Sequence, residues 1–308
     1  MAGVLARRLF SSLLVIIGSL ILVFAILYVL PGDPTDTIID PSVATPEMVA
    51  NLRHQLGVDQ PFYIQFARYF GDMVQGDFGQ SLMNSESVLG KILDSFPATL
   101  ALTAASSFVA VSIGLVLGVL SAIHRNRPID LVARVVGLFG ISMPTFWSGI
   151  LLIVLLSLKL GWFPAMGSDG WKTLVLPAIT LGTVGAGFIV RMVRSSMLDI
   201  IDEHFILTLR SKGLTERAVM YKHALRNALI PAITMIGMLV GEMLAGTVVI
   251  ETVFSRQGIG RIIADALMAK DLPVVQGVIF FSALVYVIVN TLVDLSYTFI
   301  DPRVRRSA

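Results

Sequence analysis

A chain of 308 residues with 55% hydrophobic and only 14% charged residues lies far from the composition of a soluble domain, in which about a quarter are charged. Its net charge of +2 is too small to mark a nucleic-acid binder, and with no cysteine it forms neither disulfides nor thiolate metal or redox sites. It reads as an all-α integral membrane protein.

Apolar runs long enough to span a bilayer, about 20 residues at 1.5 Å per residue, fall at 9–30, 98–123, 135–158, 174–197, 229–253 and 274–300, which predicts six transmembrane helices. If the N-terminus is cytoplasmic, 15 of the 23 basic residues fall on the inner side, so both termini are expected there.

The first span follows Arg7 and Arg8, and its run from Leu9 to Leu30 is too long for a signal-peptide core and lacks a small-residue cleavage site. It is expected to remain as an anchor, ended by Pro31, Gly32 and Pro34. Residues 31–97 hold nine acidic and three basic residues, as a translocated segment would. Thr45-Pro46-Glu47 predicts a helix start and Gly57 its end. A further helix sets Phe62, Phe66, Tyr69, Phe70 and Met73 on one stripe. That stripe either packs on the outer ends of the spans or caps the mouth of a pathway and meets a delivery protein, and the two are compatible.

Gly114 and Gly118 in the second span, and Gly237 and Gly241 in the fifth, have the spacing that lets helix backbones close up in lipid. The third span holds Ser142-Met143-Pro144-Thr145-Phe146-Trp147, where Pro144 removes a donor and deprives the Gly140 carbonyl of its helical partner. A kink is expected there, with Met143 and Phe146 as pathway candidates against a competing core or lipid-facing role. Leu176-Pro177-Ala178 opens the fourth span, whose Gly182, Gly185 and Gly187 keep its surface small. Arg191 and Arg194 at its inner end either snorkel to headgroups or meet a partner.

Glu242 stands inside the fifth span, where a carboxylate costs several kcal/mol unless paired or protonated. It should face the bundle interior, a cavity or another subunit. Asn290 and Asp294 share a face of the sixth span, and Asn290 is the remaining pathway candidate. His204 and His223 lack ligand spacing, so no metal site is expected, and no set of side chains forms a catalytic site.

The stretch from Asp202 to Pro231 is the main polar interruption and carries Arg210, Lys212, Arg217, Lys222 and Arg226. A helical run ends at Gly213, Thr215 can cap a second helix, and Val219, Leu225 and Leu229 lie near one face before Pro231. This is a helix, a turn and a helix in the cytosol.

Its string KGL, eight residues, then HALRNALIP resembles the cytoplasmic loop of the dipeptide, oligopeptide and nickel permease family, the membrane subunits of ABC-type importers. PGDP at 31–34, LGVDQP from Leu56, GDFGQS from Gly76, SMPTFW, ETVFSRQGIG from Glu251 and the VDLSYTFIDPR ending look like the same family in the same order. The resemblance implies a type I importer permease fold, with a loop that docks on an ATPase through Leu207, Thr208, Arg210, Ser211, Lys212, Gly213, Leu214 and Arg226. Leu207, Thr208 and Leu209 replace the general Glu-Ala-Ala triplet, and only Gly213 matches that pattern. Relatives usually carry a small or hydroxyl residue at Glu242. The departure either meets a substrate ammonium or pairs with the second permease.

The chain has no nucleotide loop, because its only Gly-Lys pair, Gly90-Lys91, is followed by Ile92. No cofactor is expected in this chain, and ATP and Mg2+ are assigned to partner ATPases. The implied complex holds a second, homologous permease, two ATPase subunits and an extracytoplasmic binding protein in a bacterial cytoplasmic membrane. The expected cargo is di- or oligopeptides, with nickel chelates, glutathione or another small solute as alternatives. A secondary transporter or channel is the reading from another class. The expected organisation is a tail and first span at 1–30, an outer helical segment at 31–97, and a five-helix core at 98–308 that includes the loop 199–228.

Overall fold

The computed structural model describes residues 2–29 and 45–300, except for the side chains of 2–9, 55–56 and 294–300. The expected helix end at Pro31–Pro34, the side chain of Asp294 and the arginines at 303, 305 and 306 lie outside the described residues. Among those described, one isolated antiparallel bridge, Gln80 with Ser87, is the only extended pairing, and everything regular is helical. The chain divides into two compact units, Met1–Ala98 with Gln257–Ile288, and Thr99–Arg256 with Val289–Ala308.

The first unit contains α1 (Ala2–Val29), α2 (Pro46–Leu56), α3 (Phe62–Gln75), the start of α4 (Val88–Ile123), α10 (Ile259–Ala269) and most of α11 (Leu272–Ile300). α2 starts as expected: the Thr45 hydroxyl accepts from the Met48 amide, Pro46 opens the first turn, and Gly57 at φ 69° closes it. The aromatic stripe of α3 packs on α1, with Phe62, Phe66 and Tyr69 rings 5.2, 5.4 and 5.5 Å from Phe24. The packing reading of the stripe therefore holds. α4 begins at Val88 rather than 98, because Val88 and Ile92 are fully buried and Phe96 packs edge-on to Phe281 at 5.2 Å. Pro97 thus lies inside a helix. The Ser81 hydroxyl donates to buried Asp271, which also accepts from the Leu82 amide at 3.1 Å.

The second unit is built around α7 (Lys172–Ile201), with the rest of α4, α5 (Pro128–Ser142), α6 (Thr145–Leu152) and α9 (Leu225–Val253) on its sides. Glycines let the backbones close up. A Cβ at Gly118 would sit 2.8 Å from Val193, one at Gly182 2.8 Å from the Ser106 carbonyl, and one at Gly187 would collide with the Gly137 carbonyl. The expected contact through Gly114 and Gly118 is thereby realised between α4 and α7. Leu102, Ile189, Val193, Met197 and Ile250 form the core between these helices.

Among the described residues, five helices are long and apolar enough to cross a membrane, and six spans result if the pair Pro128–Ser142 and Thr145–Lys159 counts as one. That pair bends by 110°, so the expected kink is a full break. Met143 adopts extended backbone (φ −82°, ψ 132°), as the residue before proline prefers, and Pro144 starts a new helix whose last turns, Ile153–Lys159, are π-helical. Pro177 and Pro231 break nothing: α7 begins five residues before Pro177, at Lys172, and α9 runs on through Pro231.

Candidate functional site

The polar loop folds as its residues dictate. α8 (His204–Ser211) follows α7 and stops at Gly213, whose φ of 82° is left-handed and whose amide donates to the Arg210 carbonyl at 2.9 Å. The Leu214 amide reaches back to the Leu209 carbonyl at 3.3 Å, completing the helix end. The Thr215 hydroxyl then accepts from the Ala218 amide at 3.4 Å, and a π-helical stretch, Ala218–Ala224, leads into α9 without a break. The fifth span therefore grows directly out of the loop.

One face of the loop is held and the other is free. Ile206, Val219, Ala224 and Ala228 are fully buried with Met197 of α7, and Leu209, Leu214, Leu225 and Leu229 pack beside them. On the opposite face Phe205 is 41% and Leu207 62% exposed, next to exposed Thr208, Ser211 and Lys212. That face thus sets exposed apolar side chains among exposed polar ones on one short helix. Arg210 is engaged within the loop, donating to Glu216 across the Gly213 turn at 2.8 Å, whereas Arg226 is exposed. Glu216 is a site residue that sequence reasoning missed; its place six residues after Arg210 offered no helical register to reveal it.

At the same end of the unit lies a buried charge that the sequence did not flag. Asp130, fully buried at the start of α5, accepts from Ser121 of α4 at 2.6 Å, from the Asn126 amide at 3.0 Å and from both sides of the Arg194 guanidinium at 2.8 and 3.0 Å. Arg134 approaches the same carboxylate at 3.3 Å. Arg194 is thus neither a snorkelling residue nor a free partner contact but the other half of a bidentate pair. Arg191, one turn earlier, stays exposed with its guanidinium 5.7 Å from the Phe188 ring.

The opposite end holds a second buried carboxylate. Glu251 is fully buried and accepts from the Thr99 hydroxyl at 2.7 Å. Burial pushes the Arg256 guanidinium below its ordinary range, while the nearby Glu251 charge acts in the other direction. Arg256 Nη1 donates to the Thr173 carbonyl at 3.4 Å.

The four pathway candidates are not gathered into one site. Met143 is half-buried at the helix break, Phe146 is 49% exposed two positions into α6, and Asn290 is half-buried on α11. Glu242 is exposed, on a stripe of α9 formed by Pro231, Thr234, Met238, Glu242, Ala245 and Val249. Among the described residues no hydrogen bond or ion pair engages Glu242. A carboxylate on an uncovered apolar helix face inside a span requires another subunit or an aqueous path beside it.

Comparison with known proteins gives a consistent result. Residues 114–306 match the family described as binding-protein-dependent transport system inner membrane component, and residues 1–103 match the N-terminal region of such components. The chain is 38% identical over 305 residues to the glutathione transport system permease protein GsiC of Salmonella paratyphi A, covering 99% of both chains. It is 39% identical to the di/tripeptide transport system permease protein DppB of Pseudomonas aeruginosa, again over 99% of both. Among solved structures, the inward-facing MetNI methionine ABC transporter matches with a TM-score of 0.60 and 20% identity, covering 69% of this chain and 97% of that one. This last likeness fixes the fold, that of type I importer permeases.

Proposed function

The chain belongs to the family of binding-protein-dependent transport system inner membrane components and is a permease subunit of an ABC importer, and from that premise we propose that it carries short peptides. Glutathione, a modified tripeptide, falls in the same chemical class. The two named activities among its near full-length relatives, glutathione and di/tripeptide transport, support this class.

The observation that carries the proposed mechanism is the two-faced α8. Its inner face is fixed to α7 and to the start of α9 through Ile206 and Val219, so a push on its outer face is transmitted to both spans. An ATPase that binds ATP and Mg2+ grips Phe205, Leu207, Thr208, Ser211, Lys212 and Arg226, and its closure tilts α7 and α9 together. Arg210 and Glu216 keep the turn rigid enough to transmit that motion. With α8 and both termini cytoplasmic, the outer helical segment 31–97 lies on the side from which a binding protein delivers cargo. The α9 stripe with Glu242 faces the path shared with a second permease, where its carboxylate receives the ammonium group of a peptide; Phe146 and Asn290 are further wall residues. Met143 belongs to an apolar groove.

The test is ATP hydrolysis by the full complex reconstituted in lipid, with its binding protein added empty and then loaded with dipeptides, tripeptides or glutathione. Stimulation by the loaded binding protein alone is expected. Hydrolysis indifferent to every peptide and to glutathione would overturn the substrate class, and hydrolysis indifferent to the binding protein would overturn the coupling scheme.

A further inference from the structure

A cleft of about 290 Å³ lies within the first unit, between α3, the start of α11, the turn after α3 and Phe24 of α1. Its apolar wall is formed by Phe24, Met73, Phe78 and Leu272. Its polar side carries charges of both signs, with Arg68 and Asp72 one turn apart on α3 and Asp77 just past the end of that helix.

Arg68 and Asp72 have the four-residue spacing of a helical ion pair, yet none forms between them. The arginine precedes the carboxylate, the weaker of the two orders, and its guanidinium is turned onto the end of α2. A Cβ at Gly57 would collide with Arg68 Nη1 and lie 3.8 Å from Gln60 Oε1. The Gln65 amide holds this arrangement by donating to the Val58 and Gln60 carbonyls at 3.2 and 2.7 Å. Among the described residues no hydrogen bond or ion pair engages the side chain of Arg68 or of Asp72. Asp77 uses Oδ1 to accept from the Gly79 amide at 2.9 Å, and its other oxygen has no partner among the described residues. Tyr69 lines the same wall, and its buried hydroxyl also lacks a partner there, an exception to the rule that buried polar groups are paired.

Opposite charges held apart beside an apolar wall match a molecule that carries both charges itself. A simple cation would meet Arg68, a simple anion would meet two carboxylates, and a neutral apolar molecule would leave all three groups unused. We propose that the cleft binds a small zwitterion with an apolar side chain, an α-amino acid or a short peptide, its carboxylate on Arg68, its ammonium on Asp72 and Asp77, and its side chain against Phe24, Met73, Phe78 and Leu272. The site depends only on the first unit and holds whether or not its ligand is the one transported.

The experiment uses the assembled membrane complex in nanodiscs, which expose both faces of the bilayer, without ATP or binding protein. Photo-leucine and the dipeptide alanyl-photo-leucine, each with a photoreactive apolar side chain, are cross-linked in turn and the labelled residues of this chain are mapped. Label at Met73, Phe78 and Leu272, displaced by unlabelled leucine or alanyl-leucine, is expected with at least one of them, and the better probe identifies the source. Photo-leucinol, which lacks the carboxylate, and N-acetyl-photo-leucine, which lacks the ammonium, should each label the cleft at least roughly tenfold less than photo-leucine. Arg68→Gln should abolish the advantage of photo-leucine over the alcohol, and Asp72→Asn/Asp77→Asn its advantage over the acetylated compound. All three side chains are exposed, so the complex should still assemble. Equal labelling by the alcohol or the acetylated compound would overturn the proposal, as would unchanged preferences in the variants. The same holds if neither zwitterion labels the cleft and added binding protein cross-links to 68–77 instead, since that would assign the surface to a protein. Label on the Glu242 stripe of α9 would report on the cargo path alone, so either reading can fail without the other.

Discussion

Asp130 ties the turn after α4 to α7 through three different donors, and a buried carboxylate held this way is costly to leave half-paired. Asp130→Asn should destabilise the chain by about 3 kcal/mol or more, because the Arg194 guanidinium loses its bidentate acceptor. Arg194→Met alone should cost a similar amount. The double variant should be more stable than the sum of the two losses implies, since replacing both members of a buried pair leaves no uncompensated charge. Thermal unfolding of the purified complex measures this cycle, and strictly additive losses would mean that the pair is not coupled. Asp130 was illegible in the sequence because its partner lies 64 residues away, and neither residue has a spacing that announces the other. Glu242 was conspicuous for the converse reason, since a lone carboxylate in an apolar run needs no partner in view to be recognised as costly. Its outward orientation on α9 was beyond the sequence, because the exposed stripe is defined only once α7 has covered the other side.

Gly213 and Pro144 show which elements can be read from local chemistry and which cannot. The left-handed end of α8 and the Thr215 cap follow from residue type alone and appear where expected. Pro144, Pro177 and Pro231 carry the same covalent restriction, yet only the first stops its helix. The difference lies in tertiary packing. Pro177 is buried in the bundle and Pro231, though itself exposed, lies between buried Ala228 and Ala232, so packing holds both helices straight, whereas Pro144 is exposed and Met143 lines an apolar groove. A Cβ at Gly213 would meet no atom within 4 Å, so the barrier to substitution is conformational and not steric. Gly213→Val should therefore cost only about 1–2 kcal/mol and leave the chain folded. It should nevertheless lower the substrate imported per ATP hydrolysed, because the turn that fixes α8 against α9 would no longer close. Uptake and hydrolysis measured on the same proteoliposomes give that ratio, and an unchanged ratio would remove the turn from the mechanism.

The composition that marks this chain as a membrane protein also makes its orientation easy to test. With no cysteine in its 308 residues, any introduced thiol is unique in this chain. The excess of arginine near the α4–α5 turn and the α8 loop argues that these face the cytoplasm, since translocated loops are poor in basic residues. The ion pair of Arg125 with Asp202 at 3.7 Å brings that turn and the end of α7 to the same end of the unit, so the two must share a compartment. Met268, 88% exposed at the end of α10, is separated in the chain from the α8 loop by one span and should lie on the other side. A Met268→Cys variant should react with a membrane-impermeant maleimide in intact spheroplasts, and an Arg127→Cys variant only after permeabilisation. The reverse pattern would invert the molecule and place α8 where no cytoplasmic ATPase can reach it, and the coupling scheme would fall with the orientation.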